Sequence, residues 1–148
     1  MYIYLYLNIF TILFPLLLSF DKKVAFYRNW SALLPAIVVN GVLFIVWDIV
    51  FTKQGVWGFN EEYLSGVRLI NLPIEEWLFF ICIPFSCVFT YFCLDKFYNL
   101  HWNSQTEAVF CIVFSVVLII AGIYYYDRIY TLVTFLSTAA VCLYLKFI

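Results

Sequence analysis

Two adjacent carboxylates stand at the start of an apolar run. The stretch LPIEEWLFF, residues 72–80, carries Glu75 and Glu76 ahead of residues suited to hydrocarbon. Acidic residues in the first turn of a helix complement its dipole and can bind free N–H groups, which is a structural explanation for the pair. Acids inside a bilayer without fixed partners are instead candidates for function. On these two residues alone, both interpretations stay open.

A third carboxylate is expected beside this pair. Asp48 lies about one turn before the end of the preceding apolar segment, and Pro73 is predicted as the first residue of the next helix. A chain that crosses the membrane and returns therefore brings Asp48, Glu75 and Glu76 into one leaflet. The cations nearest in sequence lie in the connecting loop, at no helical spacing from the acids.

Such a cluster suits proton transfer to an apolar substrate. Like charge and apolar surroundings favour the protonated form of a carboxyl group, whereas a helix N-terminus favours the ionised form. A protonated carboxyl beside an ionised one can give a proton to a substrate and take one back. Aromatic ring faces would stabilise a cationic intermediate. The rings expected near the acids are Trp47, Trp77, Phe79 and Phe80.

Composition places the whole chain in a bilayer. The 148 residues are 66% hydrophobic and 11% charged, with a mean hydropathy of +1.00, far outside the range of soluble proteins. A helix of roughly 20 apolar residues crosses a bilayer. Five segments qualify, so we predict an all-α, polytopic membrane protein with five transmembrane helices. The segments are Ile3–Phe20, Ala32–Thr52, Ile74–Leu94, Ala108–Tyr126 and Ile129–Ile148.

Residues inside and between these segments predict contacts. Asn8 and Asn40 are expected to form hydrogen bonds between helices. Pro84 should kink the third helix, which favours a helix–helix contact. The loop 53–73 holds three of the five glycines and several aromatics, so it should fold back over the membrane surface. A tight hairpin is expected at residues 127–128.

Other function classes are disfavoured. A net charge of −1 gives no indication of a nucleic-acid partner. The five cysteines match no metal or redox spacing, and His101, in a polar connector, has no second ligand nearby, so no metal site is expected. The N-terminus lacks the basic region of a signal peptide and is expected to remain as a span. Lys and Arg divide five against three between the two sides, which favours an N-terminus outside and a C-terminus in the cytoplasm.

Residues 47–80 closely resemble the membrane-embedded lycopene cyclase domain of bacteria, archaea and fungi. The resemblance is strong over about residues 31–94, is mainly hydropathic over the first, fourth and fifth helices, and implies one such domain over residues 1–148. It rests on the loop GVWGFN and on Trp47, Asp48, Pro73, Glu75 and Glu76, the last three forming a Pro-x-Glu-Glu element.

The resemblance implies a lycopene β-cyclase or a subunit of one, acting in carotenoid biosynthesis. The ψ ends of lycopene would close to β-ionone rings by protonation, ring closure and proton removal, without net redox chemistry and without a cofactor. It assigns Glu75 and Glu76 jointly as proton donor and acceptor, with Asp48 orienting them. The glycines form no dinucleotide fingerprint of the flavin-dependent cyclases. Substrate-binding residues would be Trp47, Trp57, Pro73, Trp77, Phe79 and Phe80.

One departure concerns partners. Complete cyclases of this family carry two acidic units, whereas nothing after residue 80 repeats Pro-x-Glu-Glu. A partner chain, a second copy of this chain or an incomplete cyclase would each account for this. The expected location is the cytoplasmic membrane of a prokaryote. Two other classes remain as alternatives, a proton-coupled membrane carrier subunit and a structural scaffold in which the acids cap a helix.

Overall fold

The computed structural model describes residues 2–98 and 103–147, and these fold mainly as α-helices. Four helices, α2 to α5, are long and apolar enough to cross a membrane, while α1, with 16 residues, is shorter. The protein is an all-α, polytopic integral membrane protein, as predicted. His101 lies outside the described residues. The helices are α1 (Ile3–Leu18), α2 (Trp30–Lys53), α3 (Ile74–Phe97), α4 (Ser104–Tyr124) and α5 (Ile129–Phe147).

The chain divides into two compact units, Met1–Asn99 and Leu100–Ile148. In the first unit, α1 and α2 both pack against α3. Phe26, in a short 3-10 helix that leads into α2, is 1% exposed and packs edge-on against Phe85 and Phe89 of α3. A residue outside the five predicted helical segments therefore belongs to the buried core. The prediction of a single domain over residues 1–148 stays a prediction.

The second unit is a hairpin of α4 and α5. Asn103 caps α4, because its side-chain oxygen accepts a hydrogen bond of 3.1 Å from the N–H of Gln105. The two helices approach closely at Gly122, where an added Cβ would lie 3.4 Å from the Cβ of Phe135. The tight turn predicted near residues 127–128 is confirmed, since α4 ends at Tyr124 and α5 begins at Ile129.

The loop between α2 and α3 is folded rather than extended. It contains a 3-10 helix (Glu61–Tyr63) and two short antiparallel strands, β1 (Arg68–Leu69) and β2 (Leu72–Pro73). Its aromatics fold back as expected, because Trp57 stacks on Phe51 with ring centroids 5.2 Å apart. Arg68 forms an ion pair with Glu61. The loop therefore covers one end of the first unit.

Candidate active site

The helix α3 begins one residue later than predicted, because Pro73 precedes the helix instead of being its first residue. Pro73 has extended backbone angles, φ −65° and ψ 149°, and its residue pairs with Arg68 in the hairpin. The helix therefore begins at Ile74, so that Glu75 and Glu76 are its second and third residues instead of the third and fourth. Both still lie in the first turn, as the sequence indicated.

Glu75 is held from two sides and is 2% exposed. Its Oε1 accepts a hydrogen bond of 2.7 Å from the backbone N–H of Ser65 in the loop. Its backbone carbonyl accepts a hydrogen bond of 2.9 Å from Nδ2 of Asn8 on α1. Oε2 is buried and has no hydrogen-bond partner among the described residues. One oxygen of this carboxyl group is thus fixed, while the other has no hydrogen bond to a described residue.

Asp48 and Glu76 face each other across the α2–α3 contact. The two carboxyl groups lie within hydrogen-bonding reach, and Asp48 is 7% exposed. An ionised carboxylate can only accept hydrogen bonds, so two carboxyl groups that bond to each other must hold a proton between them. The three carboxylates predicted to converge do so, with Asp48 paired to Glu76 and Glu75 bound separately.

A cavity of about 320 Å³ lies against the two glutamates. It is walled by α1, by the start of α3 and by the loop, and its lining is largely apolar. No Lys or Arg belongs to this lining in the described part of the chain. The lining residues are Tyr4, Leu7, Asn8, Thr11, Phe59, Leu64, Pro73, Glu75, Glu76, Phe79 and Ile83.

The predicted binding residues divide between this cavity and other contacts. Pro73 and Phe79 line the cavity. Trp47 and Trp57 instead both stack on Phe51, at 4.9 and 5.2 Å between ring centroids.

The two remaining predicted residues, Trp77 and Phe80, also lie outside the lining. The ring of Phe80 stacks on that of Phe44 on α2, with 6.1 Å between centroids. The indole N–H of Trp77 is buried and has no hydrogen-bond partner among the described residues. The geometry therefore brings two of the six predicted binding residues to the carboxylates.

Sequence reasoning missed the contributions of α1 and of the loop. Asn8 was expected to bond between helices, and it does so, but its link to Glu75 was not foreseen. Asn40, expected to act likewise, is exposed and forms no side-chain hydrogen bond to another described residue. Ser65 binds Glu75 through its backbone N–H, which carries no sequence signal, and its side chain also lies within reach of this carboxyl group. Phe59 and Tyr4 also line the cavity. The sequence shows them only as aromatic residues of the loop and of the first helix, without indicating that they lie near the glutamates.

The kink and helix contact predicted at Pro84 stay a prediction, but α2 approaches α3 closely one turn before this proline. Proline at this position removes the hydrogen bond to the carbonyl of Phe80. Gly41 of α2 lies opposite, where an added Cβ would be 3.8 Å from the Cβ and 3.9 Å from the carbonyl oxygen of Phe80. A small residue on α2 thus permits close approach to α3 one turn beyond the acidic pair.

Comparison with known proteins bears directly on this site. The family model described as lycopene cyclase matches residues 1–94, which include α1, the loop and every carboxylate of the cavity. The chain belongs to the lycopene cyclase family. In this family member the match also covers α1, where the sequence alone suggested only a hydropathic likeness.

Two fungal proteins are similar to this lycopene cyclase family member. The bifunctional lycopene cyclase/phytoene synthase of Neurospora crassa is 31% identical over 71 residues, and that of Podospora anserina is 30% identical over 71 residues. Each alignment covers 47% of this chain and 12% of the relative. Neither relative supports the prokaryotic membrane predicted from the sequence. No solved structure gives a significant match.

Proposed function

We propose that this chain is a carotenoid cyclase, or a subunit of one, that closes the ψ end of lycopene to a β-ionone ring. The reaction is an isomerisation of the intramolecular lyase type and involves no net redox change. The observation that carries the proposal is the Asp48–Glu76 carboxyl pair beside the separately bound Glu75 at one apolar cavity. Family membership supports the same class of activity.

Glu76, which lines the cavity, is the proposed proton donor. The proton that it shares with Asp48 passes to the terminal carbon–carbon double bond of the substrate, where a C–H bond forms and a tertiary carbocation results. Asp48 does not line the cavity and acts through Glu76 as a positioning residue. An apolar lining excludes water that would otherwise take the proton or trap the cation.

Glu75 is the proposed proton acceptor. The backbone N–H of Ser65 binds its Oε1, and such a bond favours a carboxylate. After the neighbouring double bond attacks the cation and closes the ring, the free Oε2 removes a ring proton and a new double bond forms. Glu75 then returns the proton to the Asp48–Glu76 pair, so that no proton is consumed overall.

Three aromatic rings in the cavity lining suit the cationic intermediate. Tyr4, Phe59 and Phe79 all line the space beside the glutamates. A ring face near a cation contributes about 0.5–2 kcal/mol, more when water is excluded. These rings would stabilise the carbocation without removing a proton from it and without forming a covalent bond to it.

A second cyclase unit is the proposed partner. This chain carries a single Pro-x-Glu-Glu element, and lycopene has two ends to cyclise. We also propose that the C-terminus lies in the cytoplasm, on the five-against-three division of Lys and Arg.

Expression in cells that accumulate lycopene tests the function. With a second unit supplied, the parent chain should convert lycopene to monocyclic or bicyclic carotenes, which pigment chromatography would detect. Glu76→Gln and Glu75→Gln should each lower the rate by about 10²–10⁴-fold, the usual contribution of a general acid or base.

Glu107→Gln is the matched control, since Glu107 is an exposed acidic residue in the first turn of α4. This variant should cyclise lycopene like the parent. Unchanged lycopene in cells where the inserted parent chain and a second unit are both verified would contradict the proposal. Equal activity of the Gln variants and the parent would favour a capping role for the acids.

A further inference from the structure

A second apolar depression continues from the carboxylate cavity along the contact of α1 and α3. It has a volume of about 490 Å³ and shares Thr11 with the cavity. We call it the seam groove. Its walls are formed chiefly by Thr11, Pro15, Cys87, Thr90, Tyr91 and Leu94.

The hydroxyl groups along the groove are turned back onto their own helices. Thr11 donates a hydrogen bond of 2.7 Å to the carbonyl of Leu7, and Thr90 donates one of 2.8 Å to the carbonyl of Ser86. A threonine bonded in this way presents its methyl group to its surroundings. The two threonines therefore leave the surface of the groove largely apolar.

Ser86 lies at the base of the groove and connects its two helices. It is buried, and its Oγ lies 3.0 Å from the carbonyl of Thr11 and 2.7 Å from that of Cys82. The contact with Thr11 joins α3 to α1 at the point where the cavity meets the groove. The cavity and the groove therefore adjoin at Thr11, with the carboxylates in the cavity and a largely apolar surface along the groove.

The dimensions fit a long molecule with one reactive end. Leu94 is 19 residues beyond Glu75 on α3, about 28 Å at a rise of 1.5 Å per residue. The cavity alone, at about 320 Å³, lies at the lower end of the range of small-molecule pockets. It can enclose the end of a linear polyene but not the chain that follows.

We propose that the seam groove holds the hydrocarbon chain of the linear polyene whose end is cyclised at the carboxylates. This inference rests on the proposed function. It assigns Thr90 and Leu94 as binding residues roughly 22 to 28 Å along the helix from Glu75, far from any bond that changes. Binding energy from such remote parts of a substrate positions the reacting end.

Paired substrates of different length test the groove. Thr90→Trp should fill it and lower kcat/KM for lycopene about tenfold or more. The same variant should act like the parent on a shortened polyene that has the same ψ end but less than half the length. Phe79→Ala, within the carboxylate cavity, should impair both substrates.

Val88→Trp is the matched control, because Val88 is exposed on α3 and does not line the groove. It should leave both substrates unaffected. Equal loss of kcat/KM by Thr90→Trp for the long and the short substrate would overturn the inference. No loss for either substrate would also overturn it, and this is the result expected if a lipid chain, and not the substrate, fills the groove. If the parent cyclised neither substrate, the proposed function itself would fail.

Discussion

At the residue scale, the acidic cluster is two arrangements rather than one. Glu75 is fixed by a backbone N–H of the loop, whereas Glu76 faces Asp48 across a helix contact. Neighbours in sequence therefore meet different surroundings, since successive helical residues point about 100° apart. That difference is the physical basis for giving one glutamate the role of donor and the other that of acceptor.

Asp48→Asn provides a prediction about this pairing. The amide can still bond to Glu76 but cannot share a proton with it, so we expect slower protonation of the substrate with little change in KM. Pigment formation measured over a range of lycopene levels would separate the two parameters. An unchanged kcat would contradict the positioning role of Asp48.

Asn8 and Asn40 form a natural pair for testing the link between α1 and α3. Asn8→Ala should lose its bond to the Glu75 carbonyl, at a cost of about 1 kcal/mol. Asn40→Ala should be close to neutral, because Asn40 is exposed on α2. Thermal unfolding in detergent measures both, and equal melting temperatures for the two variants would be evidence against the role of Asn8.

Part of this site could be predicted from the sequence. A carboxylate in an apolar segment stands out because placing a charge in a bilayer costs free energy. Asp48, Glu75 and Glu76 could therefore be identified together. The bond from Ser65 could not be foreseen, because every residue except proline offers a backbone N–H. The stacking of Trp47 and Trp57 on Phe51, away from the cavity, could not be foreseen either, since it depends on the path of the folded loop.

At the element scale, the loop between α2 and α3 is part of the site. It supplies the N–H of Ser65 and the side chains of Phe59 and Leu64, and its hairpin sets the first residue of α3. The sequence predicted a cover from glycines and aromatics. The hairpin register, Arg68 opposite Pro73, is what determines the position of the acidic pair.

Substitution of two glycines in this loop distinguishes the effect of backbone strain from that of steric crowding. Gly66 has a φ of +84°, while neither Gly66 nor Gly58 has an atom within 4 Å of an added Cβ. Gly66→Ala should therefore cost about 1–2 kcal/mol through strain alone, and it should shift the adjacent Ser65 and lower activity. Gly58→Ala should be tolerated. Thermal unfolding and pigment yield check both variants, and equal behaviour would exclude the strain argument.

Helix existence followed from hydropathy, but helix ends did not. The start of α4 lies ahead of its apolar segment because Asn103 provides a cap. Phe26 entered the core because residues before α2 fold into a short helix, a local geometry that hydropathy does not encode.

At the scale of the whole molecule, the candidate site lies within the first unit. The family match, residues 1–94, and all cavity-lining residues fall within Met1–Asn99. The hairpin of α4 and α5 forms its own compact unit. We therefore expect substitutions such as Gly122→Leu, which would force α4 and α5 apart, to destabilise the second unit with little direct effect on cyclisation chemistry.

The charge distribution predicts the orientation of the chain. A fluorescent protein fused to the C-terminus should fold and fluoresce on the cytoplasmic side, whereas the N-terminus should be reachable by an impermeant label from outside. The reason is the excess of Lys and Arg on the connectors that share a side with the C-terminus. The opposite labelling pattern would contradict this orientation.

The hydrogen bond from Asn8 to Glu75 joins residues 67 positions apart. A chain is synthesised from its N-terminus, so α1 is made well before its partner on α3 exists. During that interval the Asn8 amide has no Glu75 carbonyl to bind. Assembly of the carboxylate cavity is consequently a late event in biogenesis, completed only when α3 leaves the ribosome and returns to the first helix made.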